Sequence, residues 1–408
     1  MTTVSPPGAH ATTRLHGLDT LRAAALGLGV VLHALMPFIP DEPWLVSDSS
    51  SSEATAIATY WGRLFRMVLF MLLAGYFGRM MLQRRGASSY LRDRSWRIGL
   101  PVAAFWPVAV APLAVLGLLN AVLRGDEAVR LPEPNAPAWV PELLLILTPG
   151  HLWFLVVLLQ CVVIVVAARA LALRGLGQER SNRIAQRLGH VLTSPAGVGL
   201  AALPYLICLL LQGTAVGLIH EPTTILPSAS ALSVYLGAFL VGWFLHALPG
   251  ALHRITAQWP AQLAAAVALS VAGHLLFDVS EVPLVVHAAV IGLAGWTWTF
   301  GLLGLCLRFL HRENSMLRYL ADASYWIYLL HLPLVLGLGI AMADLEWPIL
   351  VKVGATCAIT VGVLLLSYDL FVRSTWLGKW LNGRRRPRAI PWPVRDRRAE
   401  DATVHPAG

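Results

Sequence analysis

The chain is dominated by long apolar runs. About ten of them approach or exceed the roughly 18–20 residues that carry a helix across the hydrocarbon core of a bilayer. They fall near 18–39, 59–83, 97–122, 151–173, 194–219, 229–249, 259–277, 283–309, 317–342 and 346–372. A backbone in lipid has no water to bond, so it must satisfy its own N–H and C=O groups as a helix. The expected fold is therefore an all-α, polytopic integral membrane protein with about ten transmembrane helices. Composition agrees: 57% of residues are hydrophobic and only 13% charged, against about 25% charged in a soluble domain. The run at 97–122 contains Pro101, Pro107 and Pro112, which predicts a kinked or partly re-entrant helix.

The connecting segments alternate in charge. "PDEPWLVSDSSSSEAT", "HEPTTILPS", "DVSEVP" and "MADLEWP" hold no Lys or Arg, while "QRRGASSYLRDRSWR", "RALALRGLGQERSNRIAQR", "HRENSMLR" and the C-terminal tail are basic. The segment near 123–150 is mixed and Pro-rich. By the positive-inside rule, both termini are cytoplasmic. The net charge of +9 is thus a membrane-topology signal and implies no nucleic-acid partner. Residues 1–13 read as a disordered N-terminal arm, 14–375 as the membrane domain and 376–408 as a basic cytoplasmic tail, disordered from 384. Cys161, Cys208, Cys306 and Cys357 stand singly in apolar runs, as small buried hydrophobes do. His274 and Asp278 are four apart, but no further ligand lies at metal-site spacing, so no metal is expected.

The first run, "LDTLRAAALGLGVVLHALMPF", carries Asp19, Arg22 and His33. Eleven residues turn a helix by about 1100°, within about 20° of whole turns, and advance it by about 16 Å. Arg22 and His33 therefore share one face, with Leu26 and Gly29 between them. Each residue alone has a plain reading, a snorkelling arginine and an interhelical histidine. Two ionisable groups on one intramembrane stripe point instead to a cavity or a binding partner.

Five segments, in order, resemble the membrane-bound acyltransferase-3 family: "LDTLRAAALGLGVVLH" as its Arg-x10-His motif, "FRMVLFMLLAGYFGRMMLQRRG", "YLRDRSWRIGLP", "HLWFLVVLL" and "ASYWIYLLHLPLV". The likeness covers about residues 14–375 and is greatest to the glucan-biosynthesis protein C branch, whose members are succinyltransferases. Ala74 departs from it, standing where the family usually has Ser before Gly. The resemblance implies a multi-pass protein of the bacterial inner membrane that moves an acyl group, succinyl or acetyl, from cytoplasmic acyl-CoA to a hydroxyl of a periplasmic or cell-surface glycan. Acyl-CoA is then a co-substrate, and no permanently bound cofactor is expected. The partners are membrane lipid, acyl-CoA and a carbohydrate acceptor.

Within that frame each residue has a chemical reason. Acyl-CoA is a polyanion with a thin arm ending in a thioester. Arg22, Arg92, Arg94 and Arg97 suit its phosphates at the cytoplasmic side, because guanidinium binds phosphate bidentately. Gly29 leaves room for the arm. His33 meets the reacting end as general base for the acceptor hydroxyl, or as a transient acyl carrier. Asp19, three residues before Arg22, either positions it or simply tunes the helix end. Arg63 and Arg66, unusual at the outer end of the second run, suit a carboxylate on the acyl group or acceptor, or else snorkel. His151 and Trp153 suit a sugar, unless Trp153 is an interfacial aromatic anchor. Ser324, Tyr328 and His331 share a helix face beside Pro333, which frees the carbonyl of Leu329, a pattern that fits a cavity wall or ordinary interhelical hydrogen bonding. A secondary transporter of a small anion or sugar is the competing class, although no matching pair of broken helices appears in the two halves.

Overall fold

The computed structural model describes residues 16–41, 44–124, 148–226, 228–279, 281–310 and 314–389. The expected N-terminal arm, most of the mixed segment near 123–150 and the tail beyond 389 lie outside the described residues.

The first half is built from α1 (His16–Leu35), α2 (Glu53–Arg85), α3 (Ala87–Arg94), α4 (Leu100–Arg124), α5 (Trp153–Leu192) and α6 (Gly197–Gln212). The second half continues with α7 (Ala229–Ala247), α8 (Ala251–Leu275), α9 (Leu284–Phe309), α10 (Ser315–Met342), α11 (Ile349–Ser367) and α12 (Trp376–Asn382). Among the described residues, nine helices are long and apolar enough to cross a membrane. A tenth apolar helix, α6, has 16 residues, about 24 Å of rise. The protein is an all-α polytopic membrane protein.

Local chemistry sets the ends. Ser52 caps α2 by accepting from the Ala54 amide, and Glu53 sits in the first turn, where a carboxylate opposes the helix dipole. The Asn314 side chain caps α10 through the amides of Met316 and Leu317. Two expectations change. The Pro-containing third run is not re-entrant: Ala87–Leu123 is one continuous helical span, with a π turn at Ser95–Gly99 leading into α4. Pro101 directly follows the π turn, and the Trp96 and Arg97 carbonyls before it accept from Trp380 Nε1 and the Tyr325 hydroxyl instead of the helix backbone. The basic segment after the fourth run is helical rather than a loop. Gly177, at φ 71°, turns the chain, and the polar helix then resumes to Leu192.

Helix α1 packs against α2, α9 and α10, and α2 packs closely on α7. There a Cβ at Gly75 would lie 1.9 Å from the Phe239 carbonyl oxygen, so the pair relies on backbone contact, as membrane helices do. That close approach gives Gly75, beside the divergent Ala74, a packing role. Helices α4, α8 and α11 present rows of exposed apolar residues, among them Val115, Val267 and Val363, as lipid-facing helices do. Three of the cysteines are buried and all four are unpaired.

The loop between α1 and α2 folds inward at the Arg-poor end. Val46 is 1% exposed and packs with Leu113 of α4 and Leu332 and Leu336 of α10. Asp48 meets Lys352 of α11, both side-chain oxygens at 2.8 Å from Nζ, with the two side chains only 1% and 2% exposed. The Pro37 carbonyl accepts from the Asp48 amide, and the Asn120 side chain donates to the Leu45 carbonyl. The loop is thus a fixed plug between α4, α10 and α11.

At the Arg-rich end the chain also folds back. The first residues of the expected disordered tail, 384–389, are largely exposed but tethered to the domain by polar contacts. Arg386 Nε lies 2.8 Å from Asp322, and the Ala389 amide donates to Asp369 at 2.8 Å.

Candidate active site

One cavity of about 1160 Å³ runs between α1, α2, α4, α5 and α10. It exceeds the space of a drug-sized pocket. Arg22, Arg94, Arg97 and Arg384 line its Arg-rich end, here called inner. His33, Trp44, His151, His331 and Glu221 line its Arg-poor, outer end. The shared face of α1 is the wall that joins the two, with Ala25, Leu26, Gly29 and Val30 between Arg22 and His33. The helical periodicity of the first run is what puts both ends on one surface.

The outer chamber is a nest of rings. His33 stacks on Trp44 of the plug, centroids 5.8 Å apart and planes 12° apart. Its other neighbour is His331 at 5.3 Å, which meets His151 at 5.4 Å. The carbonyl of Leu329, released by Pro333, lies 3.1 Å from His151 Nε2. A carbonyl only accepts, so Nε2 carries the proton and Nδ1 is the acceptor, and it has no protein partner. By the same logic His331 Nδ1 donates to the Tyr328 carbonyl at 2.9 Å, leaving Nε2 as acceptor. The Tyr328 hydroxyl donates to the His151 carbonyl at 2.6 Å, tying α10 to the start of α5. Ser324 is spent within its own helix, donating to Ala321 at 2.7 Å. Trp153 is buried against Tyr235, centroids 5.3 Å apart. His33 Nδ1 and Trp44 Nε1 are buried with no hydrogen-bond partner.

Arg66 is buried and lies beside α1: a Cβ at Gly29 would stand 2.8 Å from its Nη1. The space that Gly29 leaves is therefore filled by Arg66, which brings a guanidinium to the cavity one turn from His33. Glu221, from the loop after α6, lines the same chamber and acts electrostatically on Arg66. Among the described residues, no three of His, Cys, Asp and Glu are arranged to hold a metal ion.

The inner mouth is more exposed. Arg22 is 43% exposed and pairs with Asp19 at 3.9 Å, as the i,i+3 spacing predicts. Arg94 and Arg97 share Asp93, at 3.6 and 3.0 Å. The Tyr325 hydroxyl donates to the Arg97 carbonyl at 2.9 Å and joins α10 to this corner.

Of the sequence-derived site residues, the cavity gathers Arg22, Gly29, His33, Arg66, Arg94, Arg97, His151, Trp153, Ser324, Tyr328 and His331. Three fall outside its lining. Asp19 stands behind Arg22, Arg63 is half-buried on α2 beyond Arg66, and Arg92 is exposed on α3. Sequence reading missed Trp44, Glu221 and Arg384, and it passed over Lys352, a lone lysine inside an apolar run and therefore a visible signal.

The comparisons with known proteins agree with this architecture. The chain is similar to the glucans biosynthesis protein C of Salmonella heidelberg (strain SL476), of Salmonella schwarzengrund (strain CVM19633) and of Salmonella typhi. It is 25% identical to each over 392 residues, covering 91% of this chain and 95% of each relative. No solved structure matches it. The acyltransferase-3 family, described as an acyltransferase domain, matches residues 15–372, which takes in the cavity lining except Leu381, Asn382 and Arg384, and the chain belongs to that family of membrane acyltransferases.

Proposed function

We propose that this membrane acyltransferase takes an acyl group from cytoplasmic acyl-CoA and places it on a hydroxyl of a glycan on the other side of a bacterial inner membrane, with succinyl transfer to a glucan the sharpest form. The observation that carries the reading is the single cavity with arginines at one end and His33 at the other. The donor's phosphates stay at the inner mouth with Arg22, Arg94 and Arg97, and its thin arm lies along α1. The thioester then reaches the outer chamber, because Arg22 and His33 are about 16 Å apart along the helix.

In the outer chamber neutral His33 takes the proton of the acceptor hydroxyl as its oxygen attacks the thioester carbonyl. The tetrahedral intermediate collapses, the C–S bond breaks, and the thiolate of CoA leaves and recovers the proton. Trp44 and the buried histidines keep bulk water from competing for the acyl group. Glu221 accepts hydrogen bonds from acceptor hydroxyls. Arg66 pairs with the free carboxylate of a succinyl group, which is why a glycine stands at 29. The plural name of the similar proteins, glucans biosynthesis protein C, supports a glucan acceptor.

The test uses the purified protein in nanodiscs with labelled succinyl-CoA or acetyl-CoA and a periplasmic-type glucan. Label transfer from succinyl-CoA is expected. Arg66→Gln is expected to lower succinyl transfer at least tenfold and acetyl transfer much less. Equal loss with both donors would remove Arg66 from acyl recognition, and no transfer from either donor would contradict the donor assignment.

A further inference from the structure

The inner mouth contains a segment that nothing in the family match covers, since the match ends at residue 372. Helix α12 and the residues after it fold under the membrane domain. Thr375 caps the helix, Trp380 Nε1 donates to the Trp96 carbonyl at 2.9 Å, and Asn382 donates to the Asp322 carbonyl at 2.9 Å. At Gly383 the chain turns with φ +80°, and a Cβ there would lie 2.4 Å from Arg97 Nη1. The Arg97 guanidinium therefore lies directly across Gly383, next to Arg384. Past that point the chain is latched again. Arg386 pairs with Asp322, Arg373 Nε donates to the Pro387 carbonyl at 2.6 Å, and Asp369 holds the Ala389 amide.

Arg384 is thus fixed by its backbone on both sides, while its side chain is 49% exposed and lines the cavity with Leu381 and Asn382. Around the inner end, Arg22, Arg94, Arg97 and Arg384 line the cavity with one lining carboxylate, Asp322, 3.7 Å from Arg384. Asp19 and Asp93 pair with the other three arginines from outside the lining, so four cations still outnumber three carboxylates. Such a charge excess at a built mouth suits a polyanion, and guanidinium suits phosphate.

We propose that the folded tail is part of the donor site, and that Arg384 binds a phosphate of the donor together with Arg22, Arg94 and Arg97. This rests on the coenzyme-A reading of the proposed function and adds to it a binding residue outside the membrane domain. The donor's phosphate displaces Asp322 from Arg384 while Asp322 keeps Arg386, so the latch survives loading.

The experiment measures coenzyme A binding by calorimetry to the full chain in nanodiscs of zwitterionic lipid. Arg384→Gln is expected to weaken binding about tenfold. Arg384→Lys, which keeps the charge, is expected to recover most of that loss. Arg385→Gln removes the same charge one residue away, outside the cavity lining, and is expected to stay within about twofold of wild type. Wild-type affinity in Arg384→Gln, or an equal loss in Arg385→Gln, would overturn the proposal while leaving the donor assignment intact. A wild-type protein that does not bind coenzyme A would instead overturn the donor assignment itself, and this proposal with it.

Discussion

The two ends of the cavity hold their polar groups in opposite ways. At the outer end His151 and His331 are buried, their protons are assigned by carbonyl partners, and the rings pack on one another. At the inner end the arginines are partly exposed and share carboxylates at 3.0–3.9 Å. Exchangeable surface pairs contribute about 0–1 kcal/mol each and are easily traded for a ligand. Fixed, buried rings cannot be traded, but they can hold groups in register. On the proposed reading, one end lets an anion come and go and the other keeps a base oriented.

The sharpest way to break this contrast is to loosen the outer end from a distance. Asp48 and Lys352 touch neither His33 nor the inner mouth, yet they anchor the plug that carries Trp44. Lys352→Met leaves the buried Asp48 carboxylate without its counter-ion, with the Ser50 amide still donating to it, and it is expected to cost about 3–5 kcal/mol of stability. Asp48→Leu with Lys352→Met together is expected to recover much of that, since an apolar pair can replace a buried ion pair. Thermal melts in detergent would read both. A single variant as stable as wild type would mean that the plug is held without the pair.

A smaller effect is expected at Gly29. Gly29→Ala puts a methyl group 2.8 Å from the present place of Arg66 Nη1, so the guanidinium must move. A displacement of order 1 Å at a reacting centre costs about 100-fold, and transfer is expected to fall about 10- to 100-fold with coenzyme A binding unchanged. Steady-state transfer beside calorimetry separates the two, and loss of donor binding would place Gly29 on the donor's path instead.

The smallest contrast lies within the inner mouth. Arg94 lines the cavity and Arg92 does not. Arg94→Gln is expected to raise the donor KM about tenfold, and Arg92→Gln by less than about twofold. Equal effects would show that only the net charge of this face matters.

The same division explains what could be read from the sequence. The Arg22–His33 stripe and the Ser324–Tyr328–His331 face follow from helical period alone. The carbonyl freed by Pro333 follows from a rule local to one helix, and it finds its acceptor role with His151. The plug and the tail follow from neither. Asp48 meets Lys352 across 304 positions, and Arg384 reaches the cavity only because the chain folds back beneath it. Polar segments outside the apolar runs look alike in a sequence whether they fold back or extend into water. Glu221 and Trp44 were hidden for that reason. Gly29 reads as an opening from α1 alone, and only the crossing of α2 shows that Arg66 fills it.

The central claim is that one cavity separates donor holding from chemistry, with Arg22 at one end and His33 at the other. The most direct measurement compares wild type, His33→Ala and Arg22→Gln in nanodiscs, following transfer of label from acyl-CoA and binding of coenzyme A on the same preparations. His33→Ala is predicted to bind coenzyme A like wild type and to lose transfer by at least about 100-fold. Arg22→Gln is predicted to weaken binding and to regain transfer as donor is raised. Transfer that persists in His33→Ala would contradict the account.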